Sequence, residues 1–593
     1  MEIRTQGRST MLLSARMQKK QWVVRTGDGR SQELAKSLKV SPLVAQLLIN
    51  RGITETAAAS VFLRPKLTDL IEPGRMPGIE PAVGRLKRAI AEGEKITVYG
   101  DYDVDGITGV AILWQVLTLL GADVEYYIPH RVDEGYGLNA EAIEALAKSG
   151  TRVLLTVDCG ITAFSSAELA ARSGLDLIIT DHHQPDLKMP EALAIVHPAL
   201  DPSYPNQDSA GAMVAFKLAW ALANEFSAGP RLEPGLREFM ISATSLAAMG
   251  TVADIVDLRG ENRVLTSYGL KALPDCRLSG IQALIESAGL TGHELDCYHI
   301  GFRLAPMLNA AGRMGHARLA VELLTSESPI RSMQIAEYLK EQNGQRQQCE
   351  RKIFKQACEM IVQGDLNHPD RKSIVLASED WHTGVIGIVA SRIVDKFYRP
   401  TVLINAGSCE NGFAQGSGRS IPGFCLLSAI KACSHHLAGF GGHKMAAGIT
   451  IEPDKIDRFA AEFEIHAKQN LNQDDTAAKL HIDALVPLSE FRRETVDELQ
   501  LLGPFGQGNP EPRFATKGVR LACPPRRVGA GREHLQLAIT DNTTAVRCIG
   551  FRFGKLEKKL LEQEFFDVAY QPQINTYNGN SSVQFVLTDI RFE

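Results

Sequence analysis

Three aspartates at alternate positions, Asp101, Asp103 and Asp105 in YGDYDVDGITG (99–109), follow directly on an apolar run. Like charges this close repel one another, so either all three face water or something strongly positive sits among them. Two further segments repeat the pattern. RVLLTV is followed at once by Asp158 in VDCG, and LDLIIT by Asp181-His182-His183. Asp254 in GTVADIVDL, after the apolar stretch SLAAMGTVA, adds a fourth contribution. Carboxylate oxygens mixed with imidazole nitrogens suit a hard or borderline divalent ion, Mn²⁺ or Mg²⁺, rather than a thiolate-loving one. More carboxylates than one ion needs suggests two ions roughly 3.5–4 Å apart, which clamp the attacking and leaving oxygens in phosphoryl chemistry. A lone Asp after a strand is more often a turn or a helix cap, and a lone His more often structural. Their joint occurrence at several strand ends favours a metal centre.

These residues need elements to converge them. KITVY (95–99), VEYYI (124–128), RVLLTV (152–157) and LDLIIT (175–180) are short apolar runs rich in β-branched and aromatic residues. Helical stretches at Gly109–Leu120, Ala140–Ser149 and Ser165–Arg172 separate them. Such alternation predicts βαβ units and a mostly parallel, two-sided sheet. Adjacent parallel strands end at one edge, and ligands bind in the crevice outside those ends. Pro329 to about Gly364 reads as one long polar helix whose apolar residues thin out centrally, a plausible bridge between domains, with Gly344 as its weak point. SIVLAS, WHTGVIGIVASRIVDKF, TVLIN and a glycine-dense stretch give a second α/β pattern over 372–460. HLQLAIT, AVRCIGFRF, DVAYQPQI and VQFVLTDI, with Asn578-Gly579 as a hairpin turn, predict a small terminal barrel or sandwich.

At 593 residues the chain exceeds a single core, and length alone suggests about three to four domains. With 44% hydrophobic and 22% charged residues it is globular, and a net charge of −5 gives no whole-molecule attraction to nucleic acid or membrane. Ten scattered cysteines without a CxxC point to reduced thiols in a cytoplasmic setting. The apolar run near the N-terminus is too short for a secretory leader, and no segment is long enough to span a membrane.

In order along the chain, DYDVDG, VDCG, DHH and GTVAD resemble the four motifs of the DHH phosphoesterase superfamily. GGHKMAAG (441–448) is similar to the Gly-Gly-His signature of the associated substrate-binding, DHHA1-type domain. IPHRVDEGYG (128–137), LNAAGRM (308–314), GSGRS (416–420) and LGPFGQGNPEP (502–512) narrow the resemblance to the bacterial single-strand-specific 5′→3′ exonucleases of that superfamily. It covers nearly the whole chain from Trp22 onward.

The resemblance implies an α/β fold: a parallel-sheet DHH domain (81–328, with a helical extension), a connecting helix (329–364), a DHHA1-type domain (365–465) and an OB-fold barrel (470–593), preceded by an adaptor segment (1–80). It implies that Asp103 holds one ion, Asp105 the other, and Asp158 both, with His182 and Asp254 completing the second site. Asp101 and Asp181 would ligate or orient ligands, and His183 would contact the scissile phosphate. Hydrolysis by water would release 5′-mononucleotides without a Ser or Cys nucleophile. Arg131, Asn309, Arg313, Ser417, Arg419, Gly442 and His443 are the candidates for gripping substrate phosphates, including the terminal one that marks a 5′ end.

The terminal region carries Arg526, Arg527, Arg532, Arg547 and Arg552 interleaved with Phe551, Phe553, Tyr570 and Tyr577. Basic grooves with aromatic platforms bind single strands without sequence preference, although most such aromatics in a small barrel are core. The implied partner is single-stranded DNA with a 5′ end, alongside a single-strand-binding protein and a RecQ-type helicase, for a monomer acting in recombination and repair. A small-substrate DHH phosphodiesterase lacks the extra terminal regions, and a non-catalytic DNA-binding scaffold would not need an intact ligand set.

Overall fold

The computed structural model describes residues 20–130, 137–229, 231–313, 316–407, 412–472, 474–577 and 580–592. They form two compact units, one of Val24–Gln342 with Ile482–Glu593, the other of the residues up to Val23 with Asn343–His481.

In the first unit β1 (Lys95–Gly100), α1 (Val104–Leu119), β2 (Val124–Tyr127), α2 (Ala140–Lys148), β3 (Thr151–Val157), α3 (Phe164–Arg172), β4 (Asp176–Thr180) and β5 (Ala194–Val196) alternate as expected. The sheet is parallel throughout, in the order β2-β1-β3-β4-β5. Strand side chains alternate between its faces. Ile96, Val98, Val153, Leu155 and Ile178 enter one core, while Tyr99, Leu154, Leu177 and Ile179 join α2 and α3 in another. Both faces are covered, which is why the strands read as continuous apolar runs.

On the first face lie α1, α4 (Gly211–Glu225) and α5 (Pro234–Ala253), the last opening with Pro at its start. α1 begins five residues before the predicted Gly109, because Asp103 caps it and the Val104–Gly106 turn is already helical. A helical extension follows and includes α6 (Ala305–Arg313).

α7 (Pro329–Gln363) runs unbroken for 35 residues through Gly344. Its apolar residues cluster at both ends. Ile335 and Leu339 belong to the core of the first unit, and Ile353, Ala357 and Ile361 to a core of the second. The bare polar middle predicted from sequence is where the chain passes between units.

The second unit contains β6 (Ile374–Ser378), α8 (Thr383–Phe397), β7 (Thr401–Asn405), β8 (Ala414–Arg419), β9 (Leu437–Gly442) and β10 (Ala446–Ile451). Its sheet is mixed, ordered β9-β10-β8-β7-β6, with only β6 and β7 parallel. The glycine-dense stretch therefore supplies antiparallel strands.

Back in the first unit, β11 (Phe514–Val528), β12 (His534–Thr540), β13 (Ala545–Gly550), β14 (Phe566–Tyr577) and β15 (Asn580–Arg591) close into a five-stranded barrel through the β11–β14 pairing. The Asn578-Gly579 turn lies outside the described residues. Tyr570 and Phe553 are barrel core, Tyr570 stacking on Phe585 at 4.0 Å, whereas Phe551 is exposed. The helices at 31–38, 42–50 and 56–63 share one apolar cluster with the barrel. Buried Arg263 lies 3.7 Å over the Phe62 ring and donates to the carbonyls of Phe62 and Gly503, tying these helices to the chain leading into the barrel.

Among the described residues no helix is long and apolar enough to cross a membrane. The nine described cysteines are all free thiols.

Candidate metal centre

One residue past each sheet ladder, the chain keeps its neighbour's bond. Asp101 N–H donates to Val157 O (3.2 Å), Asp158 N–H to Thr180 O (2.9 Å) and Asp181 N–H to Val196 O (3.2 Å). Asp101, Asp158, Asp181 and the residue after β5, His197, thus form a row along one rim of the sheet. Asp158 takes a left-handed backbone, φ +61°, a strained choice for a residue with a side chain. Strain of this kind is stored at functional sites.

Each remaining ligand candidate is placed by a helix end. Asp103 Oδ1 accepts from the backbone N–H groups of Asp105 (2.9 Å) and Gly106 (3.1 Å), so Asp103 does cap α1. Capping uses one oxygen of the pair, so the residue can serve both roles. Asp105 reaches across to a different helix. Its two oxygens accept from Gly211 N–H (2.6 Å) and Ala212 N–H (2.9 Å), the first turn of α4, where the helix dipole favours negative charge. Asp254 is the residue immediately beyond α5.

The side chains meet in two neighbouring groups. Asp101, Asp103 and Asp158 can offer ligand atoms within 4.8 Å of one another, and so can Asp105, His182 and Asp254. Asp158 connects them, since His182 Nε2 is 3.0 Å from Asp158 Oδ1, 3.6 Å from Asp254 Oδ2 and 3.7 Å from Asp105 Oδ2. His183 Nδ1 is held by Asp181 Oδ1 at 2.7 Å and lies 3.8 Å from Asp158 Oδ1. Asp181 also accepts from the N–H groups of Ile161, His182 and His183, which fixes the whole DHH turn.

Crowding shows in the proton affinities. Burial, helped by the neighbouring Asp103 charge, lifts Asp105 to about 6 against the pull of His182. Burial, reinforced by Asp105, lifts Asp254 to about 7 and raises Asp158 well above the usual carboxylate range. At His182 burial works against the imidazolium, but the surrounding carboxylates outweigh it and raise its pKa. Asp181 behaves oppositely: burial is overcome by the His183 hydrogen bond, which keeps it near 2. Without metal the cluster therefore recruits protons to relieve its own repulsion. Hard oxygen and imidazole donors that take up protons for want of positive charge fit divalent cations.

Two residues that shape the site escaped the sequence reading. Gly211 stands against Asp158; a Cβ there would lie 2.7 Å from the Asp158 Cβ and 2.9 Å from its carboxyl group. His197 accepts from Ala199 N–H, and its Nε2 is 2.8 Å from His183 O. His197 follows AIV as Asp158 follows RVLLTV, so the strand-end pattern could have found it. Nothing in the local sequence singles out Gly211.

Of the phosphate-gripping candidates, Arg131 and the Arg313 side chain lie outside the described residues. Asn309 is half-buried on α6 in the same unit as the acidic cluster. The other unit gathers a group of its own. Arg419 donates to Ser417 Oγ (3.0 Å) and sits opposite Ala446 in the β8–β10 register, while His443 N–H donates to Ala446 O (2.7 Å). Gly442 has φ +140°, and a Cβ there would meet Ala446 O at 2.5 Å, so this turn requires glycine.

A parallel sheet converging Asp and His from its strand ends in this way defines a DHH phosphoesterase core. The profile of the DHH family N-terminal domain matches residues 95–244, that of the DHHA1 domain 370–468, and that of the RecJ OB domain 482–589. The chain belongs to the RecJ family of single-stranded-DNA-specific exonucleases. It is 36% identical to RecJ of Bacillus subtilis over 96% of this chain and 71% of that one, and 32% identical to RecJ of Escherichia coli over 93% and 96%. The crystal structure of Thermus thermophilus RecJ in complex with Mn²⁺ superposes with a TM-score of 0.82 at 32% identity, covering 97% of this chain and 80% of that one. Its Mg²⁺ complex gives 0.77 at 30% identity, covering 97% and 78%.

Proposed function

We propose that this chain is a metal-dependent exodeoxyribonuclease that shortens single-stranded DNA from its 5′ end and releases 5′-mononucleotides. The observation that carries the reading is the pair of ligand groups linked through the 3.0 Å approach of Asp158 to His182. In this assignment Asp101, Asp103 and Asp158 would hold one Mn²⁺ or Mg²⁺, and Asp105, His182 and Asp254 the other, with Asp158 available to both. When bound, the ions would supply Lewis-acid activation of water and neutralise charge building on the phosphate oxygens.

The protein's own groups then have distinct tasks. Asp105 is locked by the α4 N-terminus and Asp103 by its cap, so neither needs reorganising as substrate arrives. Burial disfavours a charged His183, but the Asp181 hydrogen bond outweighs it and raises its pKa. An imidazolium has donors at both nitrogens, so His183 would hold Asp181 with Nδ1 and donate to the scissile phosphate from Nε2. Ser417, Arg419, Gly442 and His443, with Asn309, Arg131 and Arg313, would bind substrate phosphates. Domain limits at 81–328, 329–364, 365–465 and 470–593, with an adaptor before them, serve as the working division.

The barrel would hold the trailing strand, with exposed Arg526, Arg532, Arg547 and Arg552 supplying the positive surface that the net charge does not. We place the enzyme in cytoplasmic DNA recombination and repair, as a monomer fed by a RecQ-type helicase and a single-strand-binding protein. Incubating a 5′-phosphorylated, 3′-labelled single strand with the protein and Mn²⁺ tests the reading. A descending ladder from full length is expected. Cleavage of dinucleotides alone, or binding without cleavage, would overturn it.

A further inference from the structure

Among the described residues one further group of His and carboxylate side chains stands close enough to hold an ion, and it lies in the second unit: His435, His436 and Glu462. His435 Nε2 is 3.0 Å and His436 Nε2 2.8 Å from the same oxygen, Glu462 Oε2. The two histidines belong to one 3₁₀ turn, Ser434–His436. Neighbouring residues on such a turn point roughly 120° apart. These rings nevertheless lie side by side, with centroids 4.1 Å apart and planes at 45°. Glu462 comes from α9 (Ile456–Asn470), so three donors reach one point from two elements.

Packing fixes both elements. Cys433 and Leu437, on either side of the two histidines, join the same apolar core as Phe459 and Phe463, which bracket Glu462 on α9. Donors held by locked neighbours are preorganised for a ligand. The group is also open, the His435 side chain being 61% exposed and Glu462 37%, against 16% for His436. Water can therefore complete a coordination shell.

We propose that His435, His436 and Glu462 bind a transition-metal ion of the zinc class, chemically distinct from the Mn²⁺ or Mg²⁺ of the acidic centre. Two imidazoles and a carboxylate leave the fourth corner of a tetrahedron to water, a donor set that suits zinc, whereas magnesium demands an octahedron of oxygens. Zinc lies about 2.0–2.1 Å from such donors, which sets tetrahedral neighbours roughly 3.3 Å apart, so the present contacts need open by only about 0.3–0.5 Å. The ion would act on one strand. β9 begins at Leu437, the residue after His436, and contains Gly439, Gly441 and Gly442. It is the edge of its sheet, paired only with β10. A glycine-rich strand loses much chain entropy on ordering and has little side-chain packing to offset the loss. Zinc joining the turn before β9 to α9 would clamp that strand, since metal binding stabilises the fold that presents its ligands. β9 runs on to Gly442 and His443, which the proposed function gives to substrate phosphate; the zinc site stands without that reading.

Full-length wild type, His435→Ala, His436→Ala and Glu462→Gln are titrated with Zn²⁺ against a chromogenic chelator, with Mg²⁺ in excess. Zinc taken by the acidic centre is common to all four, so the difference between them reports this site. Each variant is expected to bind one equivalent at least about a hundredfold more weakly than wild type, since even a partner that only orients a ligand is worth about 10–100-fold. Co²⁺ should give wild type a visible absorption band that the variants lack. Zinc should slow amide hydrogen exchange in β9 of wild type and leave it unchanged in His435→Ala. Cleavage of single strands with Mg²⁺ alone should be the same in all four, which shows that the variants fold and separates this site from the catalytic one. Equal zinc uptake by wild type and all three variants would overturn the site, and uptake without slower exchange in β9 would overturn the clamp. If wild type cuts nothing, the exonuclease reading fails while the zinc measurement keeps its meaning.

Discussion

Gly211→Ala sets two forces against each other. Helix propensity alone favours alanine over glycine by about 0.5–1 kcal/mol, so a substitution at the start of α4 would ordinarily stabilise. Here the new methyl would lie 2.7 Å from Asp158 Cβ and 2.9 Å from its Cγ and Oδ1. Ordinary carbon contacts are about 3.5–4.0 Å, so Asp158 or α4 must give way by roughly 1 Å. Asp158 has little room to yield, being buried on a left-handed backbone, and the neighbouring N–H of residue 211 is committed to Asp105. Overpacking of this sort costs about 1–3 kcal/mol, which outweighs the propensity gain. The larger effect is on chemistry: displacing a reacting group by about 1 Å can lower the rate about a hundredfold. We expect Gly211→Ala to lower kcat on 5′-phosphorylated single strands about a hundredfold, weaken Mn²⁺ binding by calorimetry, and lower the metal-free melting temperature by a few degrees. A variant with wild-type kcat and manganese affinity would show that Asp158 is not the shared ligand, or that its placement does not matter.

Asp158→Ala should abolish turnover and leave strand binding largely intact. In metal-free scans it should melt higher than wild type, because one charge leaves a buried, self-repelling cluster; a lower melting temperature with normal manganese binding would refute this. The pH response follows from Asp105 at about 6 and Asp254 at about 7. Both lie above the unfolded-chain value near 3.9, so the folded metal-free protein holds more protons than the unfolded chain. Its contribution to stability from these groups must fall as pH rises from about 4 to 7, and His182, also raised, acts with the same sign. Manganese competes with those protons, so the rise in melting temperature on adding Mn²⁺ should grow from pH 5 to pH 8, and a flat response in differential scanning fluorimetry would count against the assignment. Arg419→Lys, which exchanges a fork for a point charge, should raise KM about tenfold for 5′-phosphorylated strands and much less for 5′-hydroxyl strands, read from initial rates. Equal effects on both would exclude Arg419 from end recognition.

The parts legible in sequence were those that repeat a local rule. Strand, then Asp, is such a rule, and it puts Asp101, Asp158 and Asp181 on one rim. It stopped short at His197, where the strand is only three residues long and paired on its far side by nothing in the sheet order. The start of α1 differs from the expected Gly109 because Asp103, Asp105 and Gly106 look like a loop, whereas Asp103 caps a turn that is already helical and Asp105 is held from α4. Gly211 was invisible for a related reason. Its meaning lies in close approach, which arises between segments distant in sequence.

The double duty of Asp105 has a consequence for how such an enzyme could decay. Asp105 accepts both leading N–H groups of α4, and Asp103 caps α1, so under the proposed ligand assignment losing either would loosen a helix as well as silence a nuclease. Asp254 merely trails α5, with a quarter of its side chain (26%) in solvent. A lineage drifting from cutting DNA to merely gripping it would meet least resistance at Asp254, and an aspartate at position 105 would outlast the activity it once served.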